Sequence, residues 1–271
     1  MSKARRHPIR NQLLSAIPKE EYDRLLPHLE TINLTSKKII YTPIEPIKYV
    51  YFPNSGIISL VNLTEDGGTV EAATVGNEGM AGIPILLGAD QTIGQAIVQI
   101  PGDALRMKAD VFKREVTLGS PLHNLLLRYT LALINLISQS VACNRRHSIE
   151  ERCCRWLLMC QDRVQANEFP LTQEFLSDML GVRRSSVSVV AAILQKAGLI
   201  CYRRGKMTIL DRKGLESVSC ECYRIVKEEF ERLLSGGDPE IPPSLPGKIN
   251  SKSSFLRANE GVNATGRSSE I

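Results

Sequence analysis

The residues with the most legible chemistry lie in one run, Leu171–Asp211 (LTQEFLSDMLGVRRSSVSVVAAILQKAGLICYRRGKMTILD). Arg183, Arg184, Ser185 and Ser186 set two guanidinium forks beside two short hydroxyls. Such forks pair bidentately with phosphate or with a guanine edge, and hydroxyls donate to phosphate oxygens. From Leu171 to Lys213 there are eight basic residues against three acidic ones, an excess that equals the +5 net charge of the whole chain. A concentrated positive field of this kind is what a polyanion requires.

The same run supplies elements to hold those groups. Thr172 is placed to cap a first helix, Gln173–Leu180, with Phe175, Leu176 and Met179 apolar. Gly181 follows where a tight turn needs positive φ, and Val182 packs in the turn. A second helix, Ser185–Lys196, turns Val187, Val190, Ala191 and Leu194 inward and ends at Ala197-Gly198. Ile200–Arg203 and Lys206–Leu210 then alternate around Gly205 like a two-stranded wing. Helix, glycine turn, helix and hairpin in this order predict a winged helix-turn-helix, whose second helix enters the DNA major groove by its N-terminal end. Thr172, Arg183, Arg184, Ser185, Ser186, Ser188, Val189, Arg203 and Lys206 are the expected DNA-facing residues. An ordinary core hairpin leaves the Arg-Arg-Ser-Ser start unexplained.

Other chemistry is thin. No phosphate-binding loop, Gly-x-Ser-x-Gly or paired-carboxylate element is present, so no catalytic residue is expected. A metal-dependent barrel enzyme of cupin type is the alternative, and it needs histidines inside the barrel. The four histidines, His7, His28, His123 and His147, all fall outside the expected strands. The seven cysteines include adjacent Cys153 and Cys154, which does not resemble a secreted disulfide framework. Cys153, Cys154 and Cys160 sit beside Trp156 and Leu157 on one helix and read as small core residues. Cys220-x-Cys222 is too little to define a redox or metal site, and no metal or cofactor is expected. A winged helix that binds a protein instead of DNA is a further alternative, which salt dependence would separate.

Around this run the chain reads as α+β. Two short helices broken at Pro18 and Pro27 precede short β-rich runs at Lys38–Tyr41, Tyr49–Phe52, Gly56–Asn62, Val70–Val75 and Gln95–Ile100. Asp66-Gly67-Gly68 marks a hairpin among them, and the close spacing suggests a small barrel or β-roll. From Pro121 to Arg146 the period turns helical, with Leu122, Leu126, Tyr129, Leu133, Leu136 and Ile137 on one stripe. A helix of about 25 residues runs ~37 Å, more than one small domain needs, so this stripe is expected to dimerise two chains. Ser148 and Glu151 form a capping-box signature, which leaves Asn144–His147 as a hinge. The expected divisions are a basic arm at 1–10, a β-roll at 11–120, the long helix and hinge at 121–146, the DNA-binding domain at 147–234, and a disordered Gly/Pro/Ser-rich tail at 235–271. No apolar run reaches the ~18–20 residues of a membrane span and no signal-peptide core follows the basic N-terminus, so a cytoplasmic protein is expected.

With these pieces placed, residues 11–234 resemble the family of cyclic-AMP receptor and fumarate–nitrate regulators (Crp/Fnr). The matching segments are Tyr51–Gly56 (YFPNSG), Gly76–Gly82 (GNEGMAG), the long helix and the winged helix. The resemblance implies an N-terminal jelly-roll domain of cyclic-nucleotide-binding type, a homodimer, near-palindromic operators, and RNA polymerase as partner if the protein activates. By position it implies that Arg184 reads guanine and Ser186 contacts phosphate. Ser185 replaces the glutamate, and Val189 the second arginine, found in members of that family. It places an effector pocket at Glu78, Gly79, Met80, Gly94 and Gln95. The arginine and hydroxyl that hold a cyclic phosphate are replaced by Gly94 and Gln95, which argues against cyclic AMP. The N-terminal cysteines that hold an iron–sulfur cluster in the oxygen-sensing branch are absent, since the first cysteine is Cys143.

Overall fold

The computed structural model describes residues 9–65 and 67–235. The expected basic arm (apart from Ile9 and Arg10), Asp66 of the expected hairpin turn, and nearly all of the expected tail lie outside the described residues.

Asn11 starts the fold. Its side chain accepts from the Leu14 amide to cap α1 (Gln12–Ala16) and donates to the carbonyls of Pro53 and Gly79, tying the N-terminus to the roll. Then follow α2 (Lys19–Leu25), a 3-10 turn (Leu26–His28), β1 (Glu30–Leu34), β2 (Ile39–Tyr41), β3 (Tyr49–Pro53), β4 (Ile57–Leu63) and β5 (Thr69–Val75). A short α3 (Ile83–Leu86), β6 (Gln95–Ile100), β7 (Gly102–Lys108) and α4 (Ala109–Glu115) complete the β-roll. Its two antiparallel sheets have the orders β1-β7-β3 and β2-β6-β4-β5. Five strands fall where alternation places them. The two that alternation misses, β1 and β7, pair with each other, and β7 is central in its sheet. Their segments carry Asp103, Arg106 and Lys108, so neighbours rather than residue type decide their conformation.

The two family-like segments act through packing. In Tyr51–Gly56, the Asn54 amide and the Ser55 hydroxyl both donate to the Asp103 carboxylate and lock β3 to the start of β7. In Gly76–Gly82 two glycines are demanded by close approach. A Cβ on Gly79 would lie 2.3 Å from the Tyr129 hydroxyl, and one on Gly76 would lie 2.6 Å from Cγ of Arg163.

The long helix α5 (Pro121–Arg146) has the predicted bounds, opened by Ser120 as cap. Its orientation corrects an expectation. Leu122, Leu126, Tyr129, Leu133 and Leu136 are at most 5% exposed, within the single chain's own core, and Ile137 packs against it. Of the expected dimer stripe only Ile137 is left half-exposed, the other five side chains being taken up by the chain's own core. The expectation that no stretch is apolar enough for a membrane is likewise too strict. Among the described residues α5 passes that test by length and composition, as a buried core helix does too.

Helix α6 (Ile149–Val164) begins with both halves of the capping box between Ser148 and Glu151. Because α5 runs through Arg146, the expected four-residue hinge shrinks to His147 and Ser148, both in extended conformation. There follow β8 (Glu168–Pro170), α7 (Gln173–Leu180), α8 (Arg184–Lys196), β9 (Ile200–Arg203), β10 (Lys206–Ile209), α9 (Arg212–Val218) and α10 (Cys222–Leu234). Helix α10 packs along α5, with Phe230 edge-on to Tyr129 at 6.3 Å between ring centroids.

Candidate nucleic-acid interface

The helix-turn-helix forms as its residues dictate. The Thr172 hydroxyl accepts from the Phe175 amide and caps α7. Gly181 ends α7 at φ +63°, where a side chain would be strained. Helix α8 buries Val187, Val190, Ala191 and Leu194, the four residues expected inward. The Ser188 hydroxyl donates to Gln173 Oε1 at 2.8 Å, fixing α8 against α7.

What α8 leaves outside is the start of the helix. Arg183, Arg184 and Ser185 are exposed, Ser186 is half-buried, and Val189 is 61% exposed one turn on. Among the described residues no side chain caps the first amides of α8. The positive end of the helix and two arginines therefore face the same solvent.

The wing is a three-stranded sheet of order β8-β10-β9, of which β8 escapes sequence patterning because it is three residues long. Arg203 pairs with Lys206 across a two-residue loop, Arg204-Gly205, with φ of +50° and +75°. Positive φ at both positions is the type I′ geometry that suits hairpin twist. Arg203, Arg204 and Lys206 are exposed. Lys206 also meets Glu168 at 2.8 Å, an exposed pair of little energetic weight that a phosphate can replace. Arg204 is absent from the expected set, yet it stands at the wing tip in a left-handed backbone conformation that is costly for a residue with a Cβ.

The expected effector residues divide. Met80, Gly94 and Gln95 line a cavity of about 260 Å³ between the β-roll and α5, together with Tyr41, Leu133 and Ile137. Among the described residues no charged side chain lines it. Glu78 and Gly79 do not belong to it. The Glu78 carboxylate accepts from the Gly76 amide and from Arg163 Nε on α6 at 2.9 Å, both side chains being nearly buried. Gly79 is the packing site of Tyr129.

The β-roll and the helix-turn-helix also meet directly. Trp156 Nε1 on α6 donates to Glu71 Oε1 on β5 at 2.9 Å, and α7 packs against β5. A side chain on Gly181 would touch Val70 of β5. Glu71 is desolvated, which raises its carboxyl to about 7 against the hydrogen bonds from Ser59 and Trp156.

A β-roll and a long helix lead into a winged helix whose exposed basic start has the form of a DNA-binding helix-turn-helix. Residues 151–218 match the family model of the Crp-like helix-turn-helix domain. Solved structures share the fold. One is a transcriptional regulator of the Crp/Fnr family from Eubacterium rectale, at TM-score 0.60 and 19% identity, covering 76% of this chain and 96% of that one. FixK2 from Bradyrhizobium japonicum gives TM-score 0.61 at 18% identity, covering 71% and 98%. A CRP-family regulator from Thermus thermophilus gives 0.60 at 20%, covering 69% and 96%. No curated protein matches the sequence. Residues 151–218 are thus a Crp-like helix-turn-helix domain, carried on a chain with the fold of the Crp/Fnr-family structures.

Proposed function

We propose that the protein binds near-palindromic operators as a homodimer and is modulated through its β-roll by something other than cyclic AMP. The observation that carries this reading is the uncapped, exposed start of α8, where Arg183 and Arg184 lie beside the helix's positive end. Arg184 reads a guanine, and Arg183, Arg203, Arg204 and Lys206 hold phosphates. Arg184→Ala is expected to cost about 1–3 kcal/mol of operator binding and to relax one base position. Competition binding across operator variants checks this, and equal losses on operator and random DNA would remove the base-reading role.

The dimer uses a different face of α5 from the stripe that periodicity suggests. Leu127, Leu131, Ile134 and Val141 are 45–68% exposed and follow a 4-3-7 spacing completed by exposed Ser138. That is the seam of a two-stranded coiled coil. Its partner is a second copy of this chain, which sets two α8 helices one DNA turn apart, ~34 Å. Recruitment of RNA polymerase follows if binding activates transcription.

The effector reading rests on the cavity of about 260 Å³ bordered by Ile134 and Ile137 of α5. Without a cation it offers a cyclic phosphate no charge-assisted partner, so its ligand is small and mainly apolar. Such a ligand acts only by favouring one setting of the two recognition helices over another. Calorimetry with cyclic AMP is expected to show no saturable heat, and micromolar binding would contradict the apolar assignment.

In-vitro selection of DNA by the purified full chain, with no ligand added, tests the whole proposal. Enrichment of a two-fold symmetric motif supports a DNA-reading dimer. Failure to enrich, together with binding that ignores salt, would reject DNA as the partner.

A further inference from the structure

Four potential metal ligands converge where the long helix meets the last helix. Cys143 lies near the end of α5, His147 caps that helix one turn later, Cys222 opens α10, and Cys220 lies two residues before it. Their ligand atoms all fall within 4.8 Å of one another. Cys143 Sγ lies 3.5 Å from Cys220 Sγ, and Cys222 Sγ lies 3.6 Å from His147 Nδ1. The three cysteines are buried and form a small cluster of their own, apart from the main core.

The two closest spacings are those of one ion's coordination shell, and the remaining ones, within 4.8 Å, need only a small contraction to join it. A tetrahedron with ~2.3 Å metal–sulfur and ~2.0 Å metal–nitrogen bonds has edges of about 3.5–3.8 Å. An iron–sulfur cluster, whose cysteines bind different iron atoms, spreads its sulfurs further apart. The surroundings are arranged for the same purpose. The His147 Nε2 atom meets the Glu221 carboxylate at 3.2 Å, which favours a proton on Nε2 and leaves Nδ1 free as a donor atom. Gln139 Nε2 donates to Cys222 Sγ at 3.0 Å. Arg155, 8% exposed, acts electrostatically on Cys143, and its Nε and Nη1 have no hydrogen-bond partner among the described residues. Three thiolates and a divalent ion leave one negative charge, which that buried guanidinium offsets.

We propose that Cys143, His147, Cys220 and Cys222 bind one divalent zinc-type ion in a closed tetrahedral site that clamps the end of α5 to the start of α10. With four protein ligands the site is structural and has no open position for substrate. It bridges the His147–Ser148 connection, so loading it fixes α10 against the long helix. Binding releases protons from the thiols and requires no oxidant or reductant.

Elemental analysis of full-length protein, purified under reducing conditions without metal-affinity steps, is expected to find about one zinc per chain. Chelated protein titrated with cobalt(II) should develop the intense visible bands of a tetrahedral thiolate site. Cys220→Ser combined with Cys222→Ser should abolish both signals, while Cys201→Ser, at a half-buried cysteine outside the cluster, should keep them. Glu221→Gln should lower metal affinity about 10–100-fold without changing the cobalt spectrum's shape. A metal-free protein that gives only the pale spectrum of octahedral cobalt overturns the proposal. So does metal retained by the double serine variant, or iron found with inorganic sulfide. If the double variant does not fold, the cobalt spectrum of the unaltered chain decides alone. None of these readouts depends on DNA binding.

Discussion

Replacing Arg163 with methionine is expected to destabilise the protein by about 3–5 kcal/mol, because it leaves the Glu78 carboxylate nearly buried without its cation. Arg163 stands on α6 in the DNA-binding half and Glu78 in the Gly76–Gly82 segment of the β-roll, so the pair joins the two halves. Glycine at position 76 makes room for the Arg163 stem, and the guanidinium also donates to the Met159 carbonyl. For a chain of this size the loss corresponds to a melting temperature lower by roughly 6–20 °C. Arg163→Met combined with Glu78→Gln should recover most of it, since neither charge is then stranded. Differential scanning calorimetry of the single and double variants makes the comparison. A single-variant cost under about 1 kcal/mol, the range of an exposed pair, would mean that the two halves do not dock this way in solution.

The second contact between the halves titrates. Burial lifts the Glu71 carboxyl from 4.5 to about 7. The hydrogen bonds agree with a proton there. Ser59 Oγ lies 2.7 Å from Glu71 Oε2 and 2.6 Å from Gln99 Oε1, yet one hydroxyl has a single proton to give. Both contacts are satisfied when Glu71 donates to Ser59 and Ser59 donates to Gln99. Since the folded value lies above the unfolded one, the stabilisation is complete below about pH 4.5 and is lost as pH rises through about 7. The loss amounts to ~3 kcal/mol. Trp156, the only tryptophan, donates to the other Glu71 oxygen and so reports the event directly. Its fluorescence should titrate near pH 7 in the unaltered protein and stay flat in Glu71→Gln, which keeps an acceptor for the indole. A pH-independent emission in both proteins would show that the carboxyl is solvated. Should the titration occur, contact between β5 and α6 weakens over physiological pH, and operator affinity measured at pH 6 and pH 8 reads its consequence.

The parts legible in the sequence are those set by local chemistry. Gly181, Thr172 and the apolar spacing of α7 and α8 define the helix-turn-helix within a residue, and Arg-Gly at 204–205 marks the wing turn. The Pro121–Arg146 helix follows from its period, and its neighbour from the Ser148–Glu151 box. Nearest-neighbour sterics and hydrogen bonds decide each of these.

The tertiary structure alone decides which apolar face of α5 meets the protein's own core, because both faces repeat at helical spacing. Leu126 and Tyr129 go inward, while Leu127 and Leu131 stay out. It alone gives Glu78 a cation 85 residues away and draws Glu71 under Trp156, also 85 residues on. It alone brings Cys143 within 3.5 Å of Cys220, 77 residues apart. A sequence displays residue types and short-range periods; charge pairing, desolvation and metal-ligand convergence depend on through-space distance, which is fixed only when the chain has packed.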